Sequence, residues 1–282
     1  CGKRKPRPGH HLHVPIIPVV IGGRDAAPEA YPFAVAIFRD NVSVRNFRCG
    51  GALITKTVVL SAAHCFYGTL TDTEYFVRVG SVKISEESKG SSVGRKVTSV
   101  HIHPDYDERQ HNADVALLTL DRTAMSERHW PPFVCLPNRA AEPSTGQAIV
   151  LGWGHNTFGG RLQTHLQEAT VPLVTNDVCN KAYRSLNSYE REFPKGINKD
   201  FICAGNITAG GVDACQQDSG GPLLSKSLRN GRDIHEIIGI VSFGVGCGSA
   251  DFPGVYARVA TYRGWILNTM AEVLPDSEIN LN

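Results

Sequence analysis

The sequence predicts an all-β protein, and three observations carry that reading. Many apolar runs have strand length, Gly, Pro, Asn and Asp punctuate them, and helical spacing shows in only two places. The 28 Gly and 16 Pro support frequent turns, while 41% hydrophobic and 20% charged residues argue against disorder. At 282 residues the chain suits two packed lobes or one large domain.

In chain order, residues 1–19 stand apart. Lys3, Arg4, Lys5 and Arg7 stand beside Pro6 and Pro8, then come His10, His11 and His13 and an apolar stretch. This reads as a linker or propeptide: the basic run is a solvated segment, and the histidines lack a second group at metal-ligand spacing. After Gly23, strands are expected at 33–38, 52–60, 75–79, 93–101, 115–120, 148–151, 166–174, 222–224, 236–243 and 254–259. A short helix is expected near 176–183. A second closes the chain from about Tyr262, with Ile266, Met270, Val273 and Leu274 at helical spacing.

Composition also excludes function classes. With 29 Lys plus Arg against 27 Asp plus Glu, the net charge of +2 gives no electrostatic case for binding nucleic acid. No apolar run approaches the roughly 18 residues a membrane helix needs. The first residue is Cys1, not Met with an apolar leader, which fits a processed fragment. Eight cysteines without a Cys-x-x-Cys pair disfavour zinc ribbons and thioredoxin-like sites. The sequons Asn41-Val-Ser43 and Asn206-Ile-Thr208 fit secretion and glycosylation. A secreted protein with four disulfides follows.

Three segments carry chemistry: Ser61-Ala-Ala-His64-Cys65, Asn112-Ala-Asp114-Val-Ala-Leu-Leu and Gln217-Asp218-Ser219-Gly-Gly-Pro222. They supply a histidine, an aspartate opening an apolar strand, and a serine followed by glycines. A serine hydroxyl is a poor nucleophile at neutral pH. An imidazole must take its proton, and a carboxylate must hold that imidazole in the useful tautomer. Taken singly, each residue would be a structural histidine or a turn residue; their joint occurrence points to His64, Asp114 and Ser219 as a catalytic triad. The chain order differs from that of subtilisins and of α/β-hydrolases. Gly244-x-Gly246-x-Gly248 is not followed by a helical pattern, so it is not a phosphate loop.

With these segments the sequence resembles the chymotrypsin/trypsin family of serine proteases. The resemblance runs from Val20 to about Met270 through Val20-Ile-Gly-Gly23, Cys49-Gly-Gly-Ala-Leu, Gly152-Trp-Gly154, Ser242-Phe-Gly244 and Pro253-Gly-Val-Tyr256 as well. It implies two antiparallel six-stranded barrels, about 20–135 and 136–260, with a cleft between them and a helix at about 261–274. It implies the bridges Cys49–Cys65, Cys179–Cys203 and Cys215–Cys247, and leaves Cys1 to pair with Cys135 and tether residues 1–19 to the protease domain, 20–282. The family's further bridge, which would need thiols at Ala148 and Ser225, is absent.

The same resemblance implies roles. Asp213, six residues before Ser219, lies at the base of the specificity pocket, where a carboxylate selects Arg or Lys. Gly244 and Gly254 line its walls, Ser242 and Gly244 pair with the substrate backbone, and His111 and Phe243 shape neighbouring subsites. The backbone N–H groups of Gln217 and Ser219 form the oxyanion hole. Cleavage after Val19 frees the Val20 ammonium to pair with Asp218, so the intact chain is expected to be an inactive zymogen. Expected partners are a protein substrate, an upstream activating protease and protein inhibitors; no cofactor or metal is expected. Glu86 and Glu87 read as a solvated loop, not a calcium cage.

Three departures stand out. Val19 replaces the basic residue of most relatives, so a trypsin-like protease should not cut there. Gln217 stands where the family has Gly, and Phe243 where it usually has Trp. A Cys-Gly opening with a basic linker resembles the catalytic end of multidomain cascade zymogens, such as clotting factors or arthropod clip-domain proteases. The competing readings are a non-catalytic protease homologue acting as a binding protein, and a digestive trypsin, which the tether disfavours.

Overall fold

The computed structural model describes residues 23–69, 73–84, 93–121, 133–137, 145–155, 162–208, 210, 218–229, 232–246 and 248–274. Val19, Val20, Asp213, Cys215, Gln217, Cys247, Cys1, Glu86 and Glu87 lie outside the described residues.

Strand β1 (Arg24–Asp25) precedes the first barrel, built from β2 (Ala34–Arg39), β3 (Phe47–Leu53), β4 (Val58–Ser61), β5 (Tyr75–Val79), β6 (Val93–Ile102) and β7 (Ala116–Leu120). They close in the order β2-β3-β4-β7-β6-β5, every pair antiparallel. Closure removes the exposed strand edges that an open sheet would leave. The β2 sequence AVAIFR is buried except at Arg39, and Phe33, Val35, Ile37, Leu53, Leu60 and Leu117 share its core.

The second barrel contains β8 (Gln147–Gly152), β9 (Gln167–Val174), β10 (Phe201–Ala204), β11 (Pro222–Arg229), β12 (Arg232–Phe243) and β13 (Gly254–Arg258). The sheet runs β9-β10-β13-β12-β11-β8, and β8 pairs back to β9 to close it; β1 adds to β9. Helix α1 (Asn176–Tyr183) and the short α2 (Tyr189–Glu192) lie between β9 and β10. Helix α3 (Val259–Val273) ends the fold and buries Val259, Tyr262, Ile266 and Met270 along one face.

Four expectations on elements are corrected. The run 52–60 is two strands, because the Thr55 hydroxyl accepts the N–H groups of Thr57 and Val58 and turns the chain without Gly or Pro. The strands expected at 222–224 and 236–243 extend into a long hairpin, with Arg229 opposite Arg232. The strand β10 and helix α2, both too short to show periodicity, were not expected. Helix α3 starts at Val259, before Tyr262.

Disulfides join Cys49 to Cys65 and Cys179 to Cys203, as the resemblance implies. Cys135 is also in a disulfide, whose partner lies outside the described residues. Among the described residues, no helix is long and apolar enough to cross a membrane.

Candidate active site

Barrel register explains why two distant residues meet. Strands β4 and β7 are antiparallel with Ser61 opposite Ala116, so His64, three residues past Ser61, and Asp114, two before Ala116, overhang the same barrel end. His64 sits in a 3-10 turn (Ala63–Cys65), and the Cys49–Cys65 bridge ties that turn to β3. Asp114 accepts hydrogen bonds from His64 Nδ1 at 2.7 Å and from the His64 backbone N–H at 2.9 Å. The imidazole keeps 29% of its side chain exposed, whereas the Asp114 carboxylate keeps 2%. One nitrogen is therefore committed to the carboxylate while the ring stays partly open to solvent.

A third donor comes from the other barrel. Ser242, near the end of β12, donates its hydroxyl to Asp114 Oδ2 at 2.5 Å. Burial, the largest influence, disfavours the Asp114 charge. The hydrogen bonds and charge of His64 and the Ser242 hydroxyl together outweigh it and hold the carboxyl below its ordinary value near 3.8. Sequence reasoning assigned Ser242 only a backbone role; its side-chain bond to Asp114 was missed. Alternation gave no signal there, because the β12–β13 register shifts between Val241 and Phe243 and leaves Ser242 at the irregularity.

The sign of the pH dependence follows. A carboxyl depressed in the folded state adds stability that is complete above its ordinary value and is lost as pH falls through the depressed one. Ser242→Ala should raise the Asp114 pKa, so that acid unfolding begins at a higher pH. Loss of a hydrogen bond to a charged group should also lower kcat about tenfold. Acid titration followed by circular dichroism, with steady-state kinetics, checks both.

Ser219 lies on a tight turn between the barrels. Its carbonyl accepts the Gly50 N–H of β3 at 2.8 Å, Gly220 N–H donates to Val241 O at 2.9 Å, and Gly221 N–H donates to Asp218 O at 2.8 Å. Gly220 has φ +77°, and a Cβ there would lie 2.3 Å from Ser61 Oγ and 2.6 Å from Gly50 O. The same Cβ would sit 3.2 Å from the Ala62 nitrogen, two residues before His64. Only glycine allows the Ser219 turn to press this closely on the histidine segment.

Beside it, the Asp218 carboxylate is buried, accepts the Gly154 N–H at 2.7 Å and covers Gly152, where a Cβ would fall 1.8 Å from Asp218 Oδ1. Phe243 stacks on His111 with ring centres 4.4 Å apart, and Phe193 closes on both at 5.7 and 5.9 Å. Burial pushes the His111 imidazole below its ordinary value, against the pull of the Asp114 and Glu192 carboxylates. Phe193 was not anticipated from sequence. Gly244 is exposed, with nothing within 4 Å of a Cβ, and Gly254 is buried at the start of β13. Asn41 is exposed; its side-chain oxygen accepts from Asn46, and that of Asn206 accepts the Thr208 N–H.

The described His, Cys, Asp and Glu side chains make one close group, Cys49, His64 and Cys65. Both its sulfurs are consumed in the disulfide, so it is not a metal centre.

Comparison with known proteins extends this geometry along the chain. The family model described as Trypsin matches residues 20–266. The chain is 36% identical over 276 residues to the clotting factor G beta subunit of Tachypleus tridentatus, covering 93% of this chain and 85% of that protein. It is 36% identical over 251 residues to the serine proteinase stubble of Drosophila melanogaster, covering 88% of this chain and 30% of that protein. It is 34% identical over 251 residues to coagulation factor XI of Bos taurus, covering 88% of this chain and 37% of that protein. It thus spans most of the first relative's length and about a third of the other two. Two closed six-stranded barrels, a histidine hydrogen-bonded to a buried aspartate, and a family match across residues 20–266 make this chain a member of the trypsin family and a trypsin-like serine endopeptidase.

Proposed function

We propose that the chain is a secreted zymogen which, once cut before Val20, hydrolyses protein substrates after Arg or Lys by an acyl-enzyme mechanism. The observation that carries this reading is the buried Asp114 carboxylate bonded to His64 Nδ1, with the Ser219 turn seated against the histidine segment. In the proposed mechanism His64 Nε2 takes the Ser219 proton as Oγ attacks the scissile carbonyl. Asp114 holds the tautomer and stabilises the imidazolium, which then protonates the leaving amine. The N–H groups of Ser219 and Gln217 receive the developing oxyanion. Water, deprotonated by the same imidazole, releases the acyl group.

Asp213 supplies the specificity, because a buried carboxylate pairs with a guanidinium or ammonium and rejects an apolar side chain. Residues 1–19 remain tethered through Cys1 and Cys135, while Val20 carries its new ammonium to Asp218. Val19 calls for an activator that does not need a basic residue at the cut. The names of the clotting factor G beta subunit and of coagulation factor XI support a place in an extracellular proteolytic cascade. Sequons at Asn41 and Asn206 and the disulfides support secretion.

The test uses Val19→Arg protein, cut with limiting trypsin and confirmed by amino-terminal sequencing to start at Val20. A fluorophosphonate should label Ser219 in the cut form and not in the intact chain, and a peptide library should show cleavage after Arg or Lys. Failure to label cut protein would sink the triad and leave a binding protein on this fold. Cleavage after apolar residues would remove Asp213 from the pocket.

A further inference from the structure

The loop that presents Asp114 leaves β6 and returns to β7. The His103 N–H donates to Val115 O at 3.0 Å and closes its base. Within it, Asp107 Oδ1 accepts the N–H groups of Arg109 and Gln110, and the Asp107 N–H donates to Asn112 O at 3.1 Å. Beyond Asn112 one more local bond, from the Val115 N–H to Ala113 O at 2.7 Å, spans Asp114 but leaves the Ala113 N–H without a partner inside the loop. Two non-glycine residues hold left-handed backbone, His111 at φ 54° and Ala113 at φ 48°. Such conformations cost energy and persist only where the surroundings impose them.

What holds the Ala113 N–H comes from the far end of the chain. This buried N–H donates to the phenol oxygen of Tyr262 in α3 at 3.1 Å, across 149 residues. The same helix grips the loop's other end, where His103 packs edge-on to the Tyr262 ring at 5.3 Å and against Trp265 at 4.9 Å. One face of α3 therefore clasps both ends of a strained loop, and Asp114 follows directly after the second grip.

Resting on the triad reading above, we propose that Tyr262 is a positioning residue for catalysis: its phenol oxygen, by accepting the Ala113 N–H, holds the strained backbone that aims the Asp114 carboxylate at His64. Without that acceptor a buried N–H is left unpaired, and the peptide relaxes by rotating Ala113 out of the left-handed region. Asp114 moves with it. Its bonds to His64 Nδ1 and Ser242 are short and directional, so a small displacement weakens the support of the imidazolium before it affects the packing of α3.

The experiment is Tyr262→Phe in the cut enzyme, with rates normalised to active sites titrated by a fluorophosphonate. The ring still packs on His103 and only the oxygen is lost. The expected result is a fall in kcat of about five- to tenfold with KM within about twofold, since misplacement far from the chemistry acts on rate more than on binding. The acid limb of the kcat/KM profile should move to lower pH, because the imidazolium loses a well-aimed carboxylate. Amide exchange at Ala113 should quicken while that at Leu120, bonded to Thr57, stays unchanged. A Y262F enzyme with lowered thermal stability but unaltered kcat and acid limb would make Tyr262 merely structural and overturn the proposal. If Y262F yields no folded protein, exchange in the unaltered enzyme decides: strong protection of the Ala113 amide supports the clasp, and free-loop exchange refutes it. His64→Ala run in parallel separates the two readings. Unaltered turnover in H64A sinks the triad itself, whereas an inactive H64A beside a fully active Y262F sinks only the clasp.

Discussion

Asp114→Asn should lower turnover of the cut enzyme at neutral pH about 10^4-fold, the scale established for this family's triad and not one derived from the distances here. The cause is visible in the hydrogen bonds. His64 Nδ1 donates to Asp114 Oδ2 at 2.7 Å, which in the proposed mechanism leaves Nε2 to accept the Ser219 proton. An amide at 114 can turn its NH2 toward Nδ1 and stabilise the opposite tautomer, in which Nε2 already carries a proton and cannot act as base. The fold should survive, because the amide oxygen still accepts the His64 backbone N–H, and the substitution removes a charge from a site that is 2% exposed. Active-site titration, kcat/KM and thermal unfolding on the same preparation check this. A loss of less than about tenfold would mean that Asp114 does not orient the base.

Gly220→Ala should damage both stability and rate. The new Cβ meets Ser61 Oγ at 2.3 Å and Gly50 O at 2.6 Å, the second a backbone atom that cannot swing away. The position also has φ +77°, where a side chain costs roughly 1–2 kcal/mol. Overpacking adds about 1–3 kcal/mol, so the total of roughly 2–5 kcal/mol should lower Tm by at least about 4 °C in a domain of this size. The turn can relieve the clash only by drawing Ser219 away from β3, which breaks the Gly50–Ser219 hydrogen bond. If Ser219 is the nucleophile proposed above, its displacement by about 1 Å should cost about 100-fold in kcat. Scanning calorimetry and fluorophosphonate labelling rates measure the two effects separately. Wild-type labelling in this variant would show that the turn need not press on the histidine segment.

Much of the fold was legible because its signals are local. The runs at 75–79, 93–101 and 115–120 are strands within a residue or two, and so is 176–183 as a helix. Where the reading slipped, local chemistry disguised the element. Thr55 turns the chain between β3 and β4 with its own hydroxyl, so no Gly or Pro broke the apolar run at 52–60. Ser225, Lys226 and Ser227 are polar because their part of the hairpin extends beyond the core, so an apolar-run criterion stops at Leu224. Four residues of β10 and four of α2 are too few to display a period.

Residue by residue, the candidate site divides along the same line. His64, Asp114 and the glycines after Ser219 announce themselves by type and spacing, and the clash at Gly220 shows why glycine stands there. Ser242, Phe193 and Tyr262 do not, since a serine in a strand or a tyrosine on a helix is ordinary until its neighbour is known.

By itself the sequence determined which chemical groups the chain owns and which short segments turn, extend or coil, because those depend on near neighbours. Tertiary structure alone decided that the Ser242 hydroxyl reaches Asp114 across 128 residues and that Tyr262 holds Ala113 across 149. The reasons are register and packing. Side chains alternate along a strand, so one residue of slip in β12 would turn Ser242 to the opposite face, while Tyr262 meets Ala113 only because helix α3 packs back against the loop between β6 and β7.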